Sequence, residues 1–110
     1  MLTESDHKLM LALKRRLRET AGDRLLSLVA YGSRVWGTAG PDSDLDVAAI
    51  IQGLTPEWEA ALHEAAYQVM WDHDFTPIIS LQVFDAENFA AYWEQGFSYY
   101  RKVARQGISL

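Results

Sequence analysis

The chain has 110 residues, 49% of them apolar, which is enough for one hydrophobic core and too little for two, so a single domain over 1–110 is expected. Its 15 acidic and 10 basic residues give a formal charge of −5, whereas proteins that grip DNA or tRNA carry a basic face, so long nucleic acid is disfavoured as the main partner. There is no cysteine, hence no disulfide framework or thiolate metal site, and Glu4 and Asp6 without any long apolar run speak against a signal peptide or membrane span; a cytoplasmic protein is expected.

Helix and strand patterns then alternate along the chain. Thr3 or Ser5 can cap a first helix, in which Leu9, Leu13 and Leu17 with Met10 form a stripe at three-to-four spacing as far as about Thr20, before Gly22 ends it. Lys14, Arg15, Arg16 and Arg18 form the one basic cluster and read as a solvated face of that helix. A first strand is predicted over about Leu25 to Tyr31, a short helix near Ser33, and a loop over Thr38 to Asp42. The second strand is Asp44 to Ile51. Gly53 breaks the chain, and Thr55-Pro56-Glu57 starts a helix that reaches about Trp71, because threonine caps and proline is tolerated at the first helical position. Phe75 to Phe84 reads as a third strand with Pro77 near its beginning. Asp85 is expected to cap a last helical region, split at Gly96 into Ala86 to Gln95 and Ser98 to Gln106.

The dense chemical signal is the pair Asp44 and Asp46, which follows a Gly-Ser pair, Gly32-Ser33, that closes the first strand. Side chains alternate along a strand, so Asp44 and Asp46 share one face while Leu45 and Val47 point to the core. Two crowded carboxylates stay ionised most easily around a divalent cation, and hard oxygen ligands favour Mg²⁺ or Mn²⁺. Magnesium completes its shell with water and phosphate oxygens, and a Gly-Ser turn can offer backbone N–H groups and a hydroxyl to a phosphate, so the two features fit each other. Asp-x-Asp alone is ordinary turn chemistry. Gly32-Ser33, Arg34, Gly37 and Ser43 around it raise it above that.

Taken together, Gly32-Ser33-Arg34-Val35-Trp36-Gly37 and Pro41-Asp42-Ser43-Asp44-Leu45-Asp46 resemble the signature of the polymerase-beta-like nucleotidyltransferases, above all their minimal single-domain members. The family pattern of Gly-Ser, a second glycine four residues on, and Ser-Asp-x-Asp opening the next strand is filled at every position. By motif the resemblance covers roughly Leu25 to Ile51, and more weakly the remainder, including the Gly107-Ile108 ending. It implies an α/β fold: a small mixed β-sheet of about three to four strands with helices against one face and the site at its edge. It implies ATP or another NTP with Mg²⁺ or Mn²⁺, phosphates on Gly32, Ser33, Arg34 and Ser43, metal on Asp44 and Asp46, and transfer of a nucleoside monophosphate to a hydroxyl. It also implies a setting in which such proteins are antitoxins that adenylylate a small helical ribonuclease toxin of the HEPN type.

Against the family pattern, the third carboxylate of the catalytic members falls at about Ser80. Ile78, Ser80 and Gln82 share one strand face without an acid, so the general base is missing there; Asp72 and Asp74 before the strand are the alternatives. General-base help is typically worth about a hundred- to ten-thousand-fold, a loss that a slow, regulatory modification survives better than a high-flux metabolic enzyme. Arg34 either approaches the triphosphate or makes an ion pair, with Asp42 as the partner considered. Trp36 either flanks the nucleotide or packs, and His7, His63 and His73 lack ligand spacing. Phe89, Tyr92, Trp93, Phe97, Tyr99 and Tyr100 read as packing residues or as a patch that docks a partner. Two functions therefore stand: a nucleotidyltransferase acting on a hydroxyl, such as one on a partner protein, and a catalytically weak or inactive nucleotide-binding module that docks onto a helical partner. The partner expected is a small helical protein or, failing that, further copies of the chain in a homo-oligomer.

Overall fold

The computed structural model describes residues 3–36, 43–94 and 108–109. Helix α1 spans Glu4–Ala21 and begins in a reciprocal capping box. The Asp6 N–H donates to Thr3 Oγ1 at 3.0 Å and the Thr3 N–H donates to Asp6 Oδ2 at 3.1 Å, satisfying two donors that a helix start leaves unpaired. Thr3, not Ser5, is the cap. Leu9, Met10, Leu13 and Leu17 form the buried stripe, and Gly22 takes a positive φ of 57° as the chain leaves the helix through a 3-10 turn, Gly22–Arg24.

Strands β1 (Leu25–Tyr31), β2 (Leu45–Ile51), β3 (Ile79–Asp85) and β4 (Ile108–Ser109) make one mixed sheet in the order β3-β2-β1-β4. β1 and β2 are antiparallel, with Tyr31 opposite Asp46. β2 and β3 are parallel, with Asp46 opposite Ser80, and β4 pairs antiparallel with β1. The parallel step needs a crossover, supplied by helix α3 (Pro56–Asp72), whose cap Thr55 accepts the Trp58 N–H at 3.2 Å with Pro56 at the first helical position. The core lies between one face of the sheet and the pair α1 and α3: Leu45, Val47, Ala49 and Ile51 of β2 meet Leu13, Leu17, Leu62 and Ala66. Helix α4 (Ala86–Glu94) breaks the expectation of helices on one face only. Its Phe89 ring lies 5.4 Å from Phe84, which alternation places on the face opposite Val83 and the core.

The third strand starts later than its apolar composition suggests. Phe75 to Ile78 form a reversal out of α3, in which Asp74 and Phe75 have φ of 56° and 53° and the Phe75 N–H bonds the Met70 carbonyl at 2.8 Å. Left-handed backbone costs a side-chain-bearing residue about 1–2 kcal/mol. The Phe75 ring offsets part of this in edge-on contacts with Tyr67 and Trp71, at 5.5 and 5.3 Å. Pro77, without an N–H, thus precedes the strand and weakens no ladder. Asp85 caps α4 as expected, its Oδ2 accepting the Asn88 N–H at 3.4 Å, and its Oδ1 also takes the Leu54 N–H at 3.0 Å. The loop over Thr38 to Asp42, the helix over Ser98 to Gln106, and Phe97, Tyr99 and Tyr100 lie outside the described residues, as do the side chains of Ser33, Trp36, Tyr92 and Trp93.

Candidate nucleotide site

Asp46 is the second residue of β2 and its place follows from its neighbours. Leu45 and Val47 are fully buried in the core, so alternation turns Asp46 to the opposite face of the sheet, between Tyr31 of β1 and Ser80 of β3. Asp44 directly precedes the strand and is exposed, whereas Asp46 is half-buried. β1 and β2 are the two inner strands, so the pair sits at the end of the sheet's middle and not on an outer strand.

Gly32 brings the backbone onto Asp46. After β1 the chain turns through Gly32 with φ of 83° and enters α2 (Ser33–Trp36), a single turn in which the Val35 N–H bonds the Gly32 carbonyl at 3.1 Å. A Cβ at Gly32 would overlap Asp46 Oδ2 and lie 3.2 Å from its Cγ. Only a residue without a side chain fits against that carboxylate, and only glycine adopts the turn without strain. The start of a helical turn leaves N–H donors free of intrahelical partners, next to a carboxylate that faces the same end of the sheet.

The electrostatics of the pair are unfavourable by themselves. Burial pushes the Asp46 carboxyl above its ordinary value, and the charge of Asp44 pushes it further. A cation would relieve both effects. Among the described residues no group of three or more histidine, cysteine or acidic side chains converges to hold a metal, so Asp72 and Asp74 do not join Asp44 and Asp46. Two carboxylates, with no third acid, histidine or cysteine beside them among the described residues, suit a hard ion such as Mg²⁺ or Mn²⁺ that takes the rest of its shell from water and phosphate oxygens. Ser80 stands beside Asp46 in the ladder and is half-buried, with Gln82 on the same face and exposed; that face carries a hydroxyl and an amide and no acid.

Arg34 has its guanidinium engaged on two sides. Nη2 donates to Asp6 Oδ1 at 3.0 Å and Oδ2 at 3.3 Å, and Nη1 donates to the Ser43 carbonyl at 2.9 Å. Its Nε is buried without a hydrogen-bond partner among the described residues. Asp42, the partner considered from sequence, lies outside the described residues. Nothing in the sequence marks Asp6 as Arg34's partner: an acid in the first turn of a helix is ordinary, and the two residues are far apart in the chain. The histidines hold ordinary positions: His73 Nδ1 lies 3.0 Å from the Val69 carbonyl, and His63 is 3.9 Å from Glu59 on an exposed helix face. A cleft of about 310 Å³ between α1 and α3, lined by Arg15, Arg16 and His73, lies on the core side of the sheet, away from Asp46.

A family model described as a nucleotidyltransferase domain matches residues 11–97, and the chain belongs to that family. No curated protein matches the chain. Among solved structures the chain is similar to one in a crystal structure of a toxin–antitoxin with AMP-PNP, at 20% identity and a TM-score of 0.52, covering 88% of this chain and 68% of the other. It is also similar to a chain from Sulfolobus solfataricus described as a candidate nucleotidyltransferase, at 14% identity and a TM-score of 0.50, covering 99% of this chain and 87% of that one. At these identities the likeness is one of fold. No helix among the described residues is long and apolar enough to cross a membrane.

Proposed function

We propose that the chain is a minimal nucleotidyltransferase that takes ATP or another NTP with Mg²⁺ or Mn²⁺ and passes the nucleoside monophosphate, AMP in the case of ATP, to a hydroxyl on a partner protein. The single observation that carries the reading is the Gly32 turn set directly on the Asp46 carboxylate, with Asp44 beside it. In this reading Asp44 and Asp46 hold the metal, which when bound neutralises phosphate charge. Gly32, Ser33 and Ser43 border the phosphates, and Arg34 acts from behind them. The acceptor oxygen forms a bond to the α-phosphorus as the bond from that phosphorus to the bridging oxygen breaks, and pyrophosphate leaves. With Ser80 where an acid would serve as base, the hydroxyl proton passes to solvent, and the rate rests on positioning and electrostatics. In this reading the acceptor is a small helical toxin of the HEPN type; the likeness to a chain in a structure described as a toxin–antitoxin with AMP-PNP supports a nucleotide and a protein partner and no more specific identity.

The test is calorimetric titration with ATP and Mg²⁺, followed by intact-mass measurement of the partner for added AMP. Asp44→Asn with Asp46→Asn is expected to remove the metal-dependent part of ATP binding and the mass increment while the fold persists, because two repelling charges are relieved. Equal metal-dependent binding by parent and double variant would refute the site. A second reading, a nucleotide-binding module that neutralises a helical partner by docking, is favoured by the absence of an acid at Ser80. Tight partner binding that survives both substitutions, with no transfer by the parent, would select it.

A further inference from the structure

Asp6 is 1% exposed, and the chemistry just described makes no use of it. A cap requires only its contacts with Thr3. Its carboxylate also receives Arg34 Nη2, and the other arm of that guanidinium holds the Ser43 carbonyl. Arg34 follows Ser33 directly, and Ser43 directly precedes Asp44. The planar fork fixes the angle between its two arms, so the buried carboxylate that anchors one arm also aims the other; a lysine could not span both. One chain of contacts therefore runs from the first turn of α1, through the segment after the Gly-Ser turn, to the lead-in of Asp44-Leu45-Asp46.

We propose that Asp6 is a positioning residue for the nucleotide site: by orienting Arg34 it sets the spacing between the Gly32-Ser33 turn and the Asp44 and Asp46 pair. The inference rests on the reading of those two aspartates as the metal and nucleotide ligands. The experiment compares Thr3→Ala, Asp6→Asn, Asp6→Ala and Arg34→Lys by melting temperature, by Mg²⁺-ATP affinity where all are folded, and by backbone amide resonances. Thr3→Ala weakens the cap but leaves Asp6 on Arg34; it is expected to lower the melting temperature and leave affinity and the resonances of Ser43 to Asp46 unchanged. Asp6→Ala is expected to weaken Mg²⁺-ATP binding by about tenfold to a hundredfold, as loss of a group that orients ligands does, and to shift the amides of Arg34 and Ser43 to Asp46. If that variant does not fold, Asp6→Asn and Arg34→Lys carry the comparison, with the same shifts and a smaller loss. Affinity and resonances like the parent's in the Asp6 variants, or an equal loss of affinity in Thr3→Ala, would overturn the proposal. Should the parent itself bind no Mg²⁺-ATP, the functional reading falls and the amides alone decide: movement at Ser43 to Asp46 in Asp6→Asn but not in Thr3→Ala supports the coupling, and its absence overturns it.

Discussion

Replacing Gly32 with alanine tests whether the turn is shaped by Asp46. The φ of 83° is left-handed, which costs a residue with a Cβ about 1–2 kcal/mol. The added methyl also overlaps Asp46 Oδ2, and forcing a packed neighbour aside typically costs about 1–3 kcal/mol. Together Gly32→Ala is expected to lose about 2–5 kcal/mol, a fall in melting temperature of roughly 8–20 °C for a domain of this size. The same change made on an Asp46→Ala background meets no Cγ or Oδ2, only a Cβ 3.3 Å away, so it should lose only the dihedral part. Denaturant and thermal unfolding of the four proteins in a double-mutant cycle measures the difference directly. Equal losses on both backgrounds, within about 0.5 kcal/mol, would show that the carboxylate does not dictate glycine there.

Three further outcomes follow from the same geometry. The Asp46 carboxyl is raised in the fold by burial and by Asp44, so its ionised form destabilises the metal-free protein above the folded pKa and ceases to do so below the ordinary carboxylate range; Asp46→Asn should therefore melt higher than the parent at pH 7 in EDTA, with the advantage gone by about pH 3.5, and a gain that persists in acid would contradict this. Burial also pushes Asp6 up, but the Thr3 N–H, the hydrogen bond and charge of Arg34 and the Thr3 hydroxyl outweigh it and hold the carboxyl below its ordinary value. Its stabilisation is therefore full above the unfolded pKa and lost as pH falls through the folded one. Asp6→Ala, which leaves a part-buried guanidinium without its carboxylate, should lose about 3 kcal/mol at pH 7, the low end for breaking a buried ion pair, and less in acid, read by denaturant titration at both pH values. Ser80→Asp, which sets an acid beside Asp46, should raise AMP transfer about tenfold, less than a full general-base factor because nothing around it was shaped to hold the acid; an intact-mass time course with no change would remove Ser80 as the vacant base position.

Local periodicity determined most of the elements. The leucine stripe of α1, the Thr55-Pro56 start of α3 and the alternation that puts Leu45 and Val47 inward and Asp46 outward are short-range consequences of residue type, so they survive without knowledge of the rest of the fold. The likeness of the segment from Gly32 to Asp46 to a nucleotidyltransferase signature was likewise present in the order of residues alone. The reversal at Phe75 to Ile78 is not legible in the sequence, because apolar, β-prone residues look the same whether they extend or reverse; the backbone there is bent by the need to return from α3 to the sheet. What only the tertiary structure decided was neighbourhood. That Ser80 lies beside Asp46, that Gly32 has no room for a side chain because of Asp46, and that Arg34 reaches Asp6 in α1 are set by strand register and by α1 packing across the sheet. Sequence separation carries no trace of such contacts, because each is made by two segments whose own patterns are already explained by helix, strand or cap.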